Sequence, residues 1–207
     1  MKETQDHIII NNLSYDLEAL EKDCWIRLVN GATKSRDSFH TPCIATLNKG
    51  ESSLRTVVLR KASPLEKELC FHTDIRSPKW SELKINSSIS GLFYDATARV
   101  QLRIKGIAEL HYNDEIAAEA WQKTALSSRK SYLTDLSPSS FIDFPSSGLS
   151  IEIEQDNFTW EDSEIGQQNF GVVCIHVESI DWLYLHHTGH RRAFFDYKQE
   201  CNLWMIP

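Results

Sequence analysis

The chain has 207 residues, with 22 Lys and Arg against 29 Asp and Glu, for a formal charge of −7. That length suits one substantial domain, and the charge denies it the basic field that duplex nucleic acid needs. Residues 134–168 hold eight of the acids and no Lys or Arg, so the rest of the chain, at 22 bases to 21 acids, can accept an anionic small molecule.

The apolar "HIII" at 7–10 is too short for a signal region or a membrane span. Residues 16–30 place Leu17, Leu20, Cys24 and Leu28 near helical spacing, and Gly31 follows as the expected stop. "FHTPCIATLN" (39–48), a polar turn "KGESS", "LRTVVLRKAS" (54–63) and "LCFHT" (69–73) are β-rich runs joined by short turns, an antiparallel meander. "ISGLFYDA" (89–96) and "ARVQLRIKGIAELHY" (98–112) extend it. In the latter, Val100, Leu102 and Ile104 alternate with Gln101, Arg103 and Lys105, as in a strand with one wet face.

Between these runs, Ser77 before Pro78 is a helix-start signature: a capping hydroxyl, then the residue that needs no amide donor. The free amides of such a start, with Lys79 in the first turn and Thr73, Asp74 and Arg76 just ahead, suit an anion. Residues 113–126 read as a helix with Asn113 as N-cap. Residues 134–168, rich in Ser, Pro, Gly and acids without lasting period, read as a long, partly mobile surface loop. "FGVVCIHVESIDWLYLHH" and "HRRAFFDYKQECNLWMIP" supply two or three closing strands. The expectation is a single domain over 1–207: mainly β with flanking helices (α+β), antiparallel, a small barrel with N-terminal and mid-chain helices.

Five cysteines (Cys24, Cys43, Cys70, Cys174, Cys201) form no CxxC pair, and three lie in apolar strand-like runs where Cys acts as a small hydrophobe. No metal site and no disulfide framework is therefore expected, and a reducing cytoplasm is the natural setting.

"RTVVLR" (55–60), "FHTDIRSPK" (71–79), "VQLRIKG" (100–106), "SSRKSYL" (127–133) and "W…HRRAFF" (182–195) occur in that order. The series resembles the pyridoxamine 5′-phosphate oxidase family of FMN-binding split β-barrels, and looks closest to its oxidase-related branch of mostly unassigned role. The resemblance implies an FMN held across a homodimer interface. It gives Arg55 to the FMN phosphate and the backbone of Thr56, Val57, Val58, Leu59 and Arg60 to the flavin edge. It gives His72 and Thr73 to the cofactor, Ser77 and Lys79 to the phosphate end, and Gln101 to the polar rim of the ring. Ser127, Trp182 and Arg192 would reach in from the second subunit.

Each residue also has a plain reading. Arg55 and Arg60 could be rim charges, Gln101 a surface residue, Trp182 core, and Arg191 with Arg192 a solvated cluster. The sequence departs from the oxidase where Pro78 follows Ser77, where Arg60 closes its strand in place of lysine, and where Thr188 takes an arginine position. After Trp121 it lacks a stretch of the oxidase that includes the tyrosine, arginine and serine gripping the substrate phosphate. The resulting expectation is an FMN-dependent oxidoreductase of unknown substrate, with His190 as the candidate acid or base. A non-catalytic flavin carrier, a true oxidase, and a haem-handling barrel using His186, His187 or His190 are the alternatives.

Overall fold

The computed structural model describes residues 7–10 and 13–207. β1 (Ile8–Ile10) and β2 (Leu13–Tyr15) form a small antiparallel ladder ahead of α1 (Leu17–Thr33). Asp16 caps α1 by accepting the Ala19 amide at 2.8 Å, and the helix buries Leu20, Cys24, Trp25 and Leu28. Contrary to expectation, α1 does not stop at Gly31. A Cβ there would lie 2.7 Å from Phe39 Cβ, and the Gly31 carbonyl sits 2.7 Å from His40 Nδ1. This glycine permits close approach rather than ending the helix.

The meander begins with β3 (Cys43–Asn48), β4 (Glu51–Thr56), β5 (Leu59–Ser63) and β6 (Glu68–Asp74). Lys49 and Gly50, at φ 50° and 89°, make the two-residue turn of the β3–β4 hairpin. The run 54–63 is two strands, not one. It breaks at Val57-Val58, so that β4 pairs with β3 while β5 pairs with β6. Then come α2 (Pro78–Ile85), β7 (Ser88–Asp95), β8 (Val100–His111), α3 (Glu115–Lys123) and α4 (Leu126–Arg129). Asp114, not Asn113, caps α3, accepting the Ala117 amide while Asn113 takes a positive φ.

Segment 134–168 is a loop, as expected, only as far as residue 150, and its second half is helical. It contains α5 (Ile151–Glu154) and α6 (Trp160–Ser163), and a 3-10 turn begins at Glu164. Arg129, 3% exposed, donates to the carbonyls of Thr124 and Trp121, to Ser163 Oγ and to Glu164 Oε1. Trp121 Nε1 donates to the same carboxylate at 3.0 Å. The acidic segment is thus pinned under α3 and α4.

β9 (Phe170–Tyr184), β10 (Arg191–Asp196) and β11 (Cys201–Met205) close the chain. The sheet runs β11-β10-β9-β8-β7-β3-β4, all antiparallel. The fifteen residues of β9 pair with β8 along their length, with β6 at one end and with β10 at the other. A sheet that divides in this way along one long strand is a split barrel. Its core is filled by Ile44, Phe71, Phe93, Leu102, Val173, Ile180, Trp182 and Phe195, capped by α1. A second cluster, Trp121, Tyr132 and Phe170, packs edge-on at 5.0–5.8 Å between ring centroids. Among the described residues no helix is long and apolar enough to cross a membrane.

Candidate functional site

The turn from β6 into α2 gathers most of the expected phosphate end. Lys79 Nζ donates to Thr73 Oγ1 at 3.0 Å and to Ser77 Oγ at 3.3 Å. Thr73 and Ser77 are both buried, and Ser77 Oγ donates to the Asp74 carbonyl at 2.6 Å. Ser77 therefore occupies the N-cap position of α2 without capping it by its side chain. Arg76 does not join the cluster. It forks onto Asp74 at 2.7 Å and donates to the carbonyl and hydroxyl of Thr134, tying the turn to the acidic segment.

Arg55 reaches the same end of α2 from β4. It pairs with the buried Glu82 at 2.9 Å and also donates to Thr46 Oγ1 and to Ser53. Burial, and then the Arg55 charge, push the Lys79 ammonium below its usual range. Lys79 is thus a half-buried cation whose hydrogen-bond partners are neutral hydroxyls, set near Arg55, with the charges of Asp74 and Glu82 partly offsetting that repulsion. A phosphate monoester is the counter-charge that this set of donors suits.

In the stretch 56–60, the amide of Val57 donates to the Pro42 carbonyl at 3.0 Å and that of Leu59 to the His40 carbonyl at 2.9 Å. Leu59 turns its side chain into the core. A flavin-edge role for this backbone would fall to Thr56, Val58 and Arg60, which alternate with those two. Arg60 lies where the β5–β6 register shifts, on a bulge that leaves its side chain exposed.

Beside that bulge lies a cavity of about 690 Å³, walled by Arg60, Lys61, Glu68 and His72 on β5–β6 and by Lys123 and Ser128 on α3–α4. His72 packs edge-on to Phe170 at 4.8 Å, and burial with the Arg60 charge lowers its pKa to about 4. It is neutral at pH 7. Cys70 and Cys174, register partners on β6 and β9, form a disulfide in the same wall. This corrects the sequence expectation. Separated by 104 residues, the two positions carry no local signal of pairing; only the β6–β9 register brings them together. With Glu68 they bring three ligand-type atoms within 4.8 Å, but the disulfide occupies both sulfurs.

The remaining predicted residues lie elsewhere. Gln101 and Arg192 both flank Leu183 across β8, β9 and β10, on the outer sheet face. Arg192 is held by Asp181 at 2.9 and 2.7 Å, and Arg103 binds the same carboxylate. Trp182 points the opposite way into the core, 1% exposed, with its Nε1 lacking a hydrogen-bond partner among the described residues. Ser127 is exposed on α4. His190 is exposed in the β9–β10 connection, where its Nδ1 accepts the His186 amide at 3.1 Å. Within one chain, the Arg55–Lys79 cluster and the Arg60–His72 cavity are assembled around β5–β6–α2, while Gln101, Arg192 and His190 belong to the far sheet.

Sequence reasoning missed Glu82 and Arg129. Glu82 stands at i+3 from Lys79 and next to the buried Leu83, a helical position facing inward, so the period of α2 could have found it. Arg129 sits inside "SSRKSYL", but its burial depends on the acidic segment folding over it.

Residues 22–112 match the family described as "Pyridoxamine 5'-phosphate oxidase, FMN-binding domain". No curated protein matches the chain. A pyridoxamine 5′-phosphate oxidase-related, FMN binding protein from Nostoc punctiforme shares the fold with TM-score 0.72 at 19% identity, over 90% of this chain and 97% of that one. PhzG from Burkholderia lata, in complex with tetrahydrophenazine-1-carboxylic acid, has TM-score 0.67 at 15% identity, over 92% of this chain and 90% of that one. The expected split-barrel fold is borne out, and the expected resemblance is borne out over residues 22–112.

Proposed function

We propose that this chain, whose residues 22–112 match the pyridoxamine 5′-phosphate oxidase FMN-binding domain family, binds FMN and works as an FMN-dependent oxidoreductase on a small organic substrate. The observation that carries the reading is the Lys79–Thr73–Ser77 cluster beside Arg55, a buried-side donor set of two cations and two hydroxyls at a helix start. Lys79, Thr73 and Ser77 would hold the phosphate, with Arg55 kept in place by Glu82. Bound flavin would supply the capacity to accept and return a hydride.

The 690 Å³ cavity, across strand β6 from these residues, gives a substrate room. Arg60 offers it a positive charge, and neutral His72 an aromatic edge. The likeness to PhzG, which holds a ring carboxylate, is consistent with such a ligand.

The reading includes a homodimer. The outer face of the sheet exposes Leu92, Tyr94, Leu203 and Met205 around Gln101 and Arg192. A second copy of this chain would cover that face and bring Arg192 and Gln101 of the two copies near a shared site. Trp182, facing inward, would act there only by backing the strand.

The test is direct. Purified protein should be yellow or turn so with FMN, release FMN on acid treatment, and run as a dimer in sedimentation. It should oxidise NADH or NADPH with an artificial acceptor. Colourless monomeric protein that leaves FMN fluorescence unquenched would refute the reading.

A further inference from the structure

We propose that Cys70 and Cys174 are a reversible disulfide that exchanges with a small carboxylate-bearing thiol entering the cavity between β5–β6 and α3–α4. Three observations carry this. First, the sulfurs lie outside the main core, in the second cluster with Trp121, Tyr132 and Phe170, with one polar pair beside them. Cys70 Sγ is 3.4 Å from Glu68 Oε1, and Lys61 Nζ donates to that same oxygen at 2.9 Å. A thiol or thiolate released there has a hydrogen-bond acceptor and a cation at hand.

Second, both cysteines are only 3% exposed yet line a cavity of about 690 Å³, so only a reagent small enough to enter it can reach them. Third, β6 and β9 keep seven register pairs, from Glu68↔His176 to Asp74↔Phe170, so the ladder persists when the S–S bond is cut. The carboxylate preference follows from the cavity charges. Lys61 and Lys123 are matched by Glu66, Glu68 and Glu119, whereas Arg60 on the bulge has no acid bonded to it among the described residues.

The exchange balances with the thiol as reductant. One thiolate attacks a cysteine sulfur, the S–S bond breaks, and the other cysteine leaves as a thiolate that takes up a proton. A second thiol then displaces the protein from the mixed disulfide. Two small thiols become one small disulfide, and the protein disulfide becomes two thiols. The reverse reaction uses the small disulfide as oxidant. None of this depends on flavin.

The test incubates the native full chain in mixtures of reduced and oxidised glutathione, traps thiols with N-ethylmaleimide, and maps the peptides by mass spectrometry. The Cys70–Cys174 link should open and re-form in one reversible transition, with unchanged circular dichroism. Ala125→Trp, which adds bulk at an exposed residue lining the cavity, should slow opening about tenfold, because access governs exchange. Arg60→Ala should slow glutathione more than uncharged 2-mercaptoethanol. A link that opens only after the chain is unfolded would overturn the proposal, as would thiols that stay free in oxidised glutathione. Equal rates in Ala125→Trp would overturn the cavity route, and equal slowing of both reagents by Arg60→Ala the carboxylate preference.

Discussion

Replacing Lys79 by methionine separates the phosphate reading from a merely structural one, because it predicts opposite signs for two measurements. A hydrogen bond to a charged group is worth about 1.5–3 kcal/mol. At about 1.4 kcal/mol per factor of ten, losing one to the FMN phosphate should raise Kd by roughly 10- to 150-fold. Fluorescence titration with FMN reads that loss. Riboflavin, which has no phosphate, should bind the variant and the parent equally.

The stability of the free protein should move the other way. Burial and Arg55 hold the folded pKa of Lys79 below its unfolded value. The unfolded chain then binds that proton more tightly, and folding bears a cost at every pH below the folded pKa. The cost shrinks as pH rises past that folded pKa and is gone above the unfolded value. Methionine keeps much of the stem's packing and removes the charge, so the ligand-free variant should melt at a higher temperature at pH 7. An equal loss of FMN and riboflavin, or a ligand-free variant less stable than the parent, would refute the assignment. Arg55 is the poorer target, because its removal strands the buried Glu82 carboxylate.

Arg129→Ala removes the donor to Trp121, Thr124, Ser163 and the half-exposed Glu164 and should cost about 1–3 kcal/mol, the range for leaving buried acceptors unsatisfied, by urea denaturation. Gly31→Ala should destabilise by about 1–3 kcal/mol despite alanine's better helix propensity, since Phe39 already occupies the space; thermal melts check the sign. His72, with a folded pKa of about 4, should show no imidazole titration by NMR between pH 5 and 8. Between its unfolded value and pH 4 the unfolded chain binds the extra proton, so stability should fall as pH falls through that window, by at most about 3 kcal/mol. His72→Phe should flatten that part of the acid limb, and an unchanged limb would remove His72 as its cause.

The strands, α2 and the β6–α2 turn were legible because each rests on local rules: alternation, Ser-Pro at a helix start, and cations beside hydroxyls. The turn was nonetheless only half read. Arg76 and Lys79 look equivalent in sequence, yet one is consumed by Asp74 and Thr134 and the other is not. What separates them is partly local, Asp74 two residues before Arg76, and partly Thr134, which belongs to a segment without periodic signal. Gly31 misled for a related reason. A glycine that ends a helix and one that admits a neighbour are identical in one dimension, and Phe39 decides between them. The break at Val57-Val58 was hidden because a β-rich run looks the same whether it pairs on one side or changes partner midway.

The disulfide and the Lys79–Thr73–Ser77 cluster share an origin in that hidden break. When β5 leaves β3–β4 and joins β6, it carries Arg60 and Lys61 to one side of β6 while Arg55 stays with α2 on the other. The β6–β9 register then sets Cys70 against Cys174 on the face toward α3 and α4. Strand β6 is consequently the common wall of both features: Thr73 at its end serves Lys79, and Cys70 and His72, further back, face the cavity. A change in the Cys70–Cys174 link would act on the strand that leads into Thr73. FMN affinity measured on the oxidised and reduced protein should therefore differ, and Cys70→Ser should hold it at the reduced value in either buffer. Identical affinities in the two states would show that β6 is too firmly held by its seven register pairs to transmit the change.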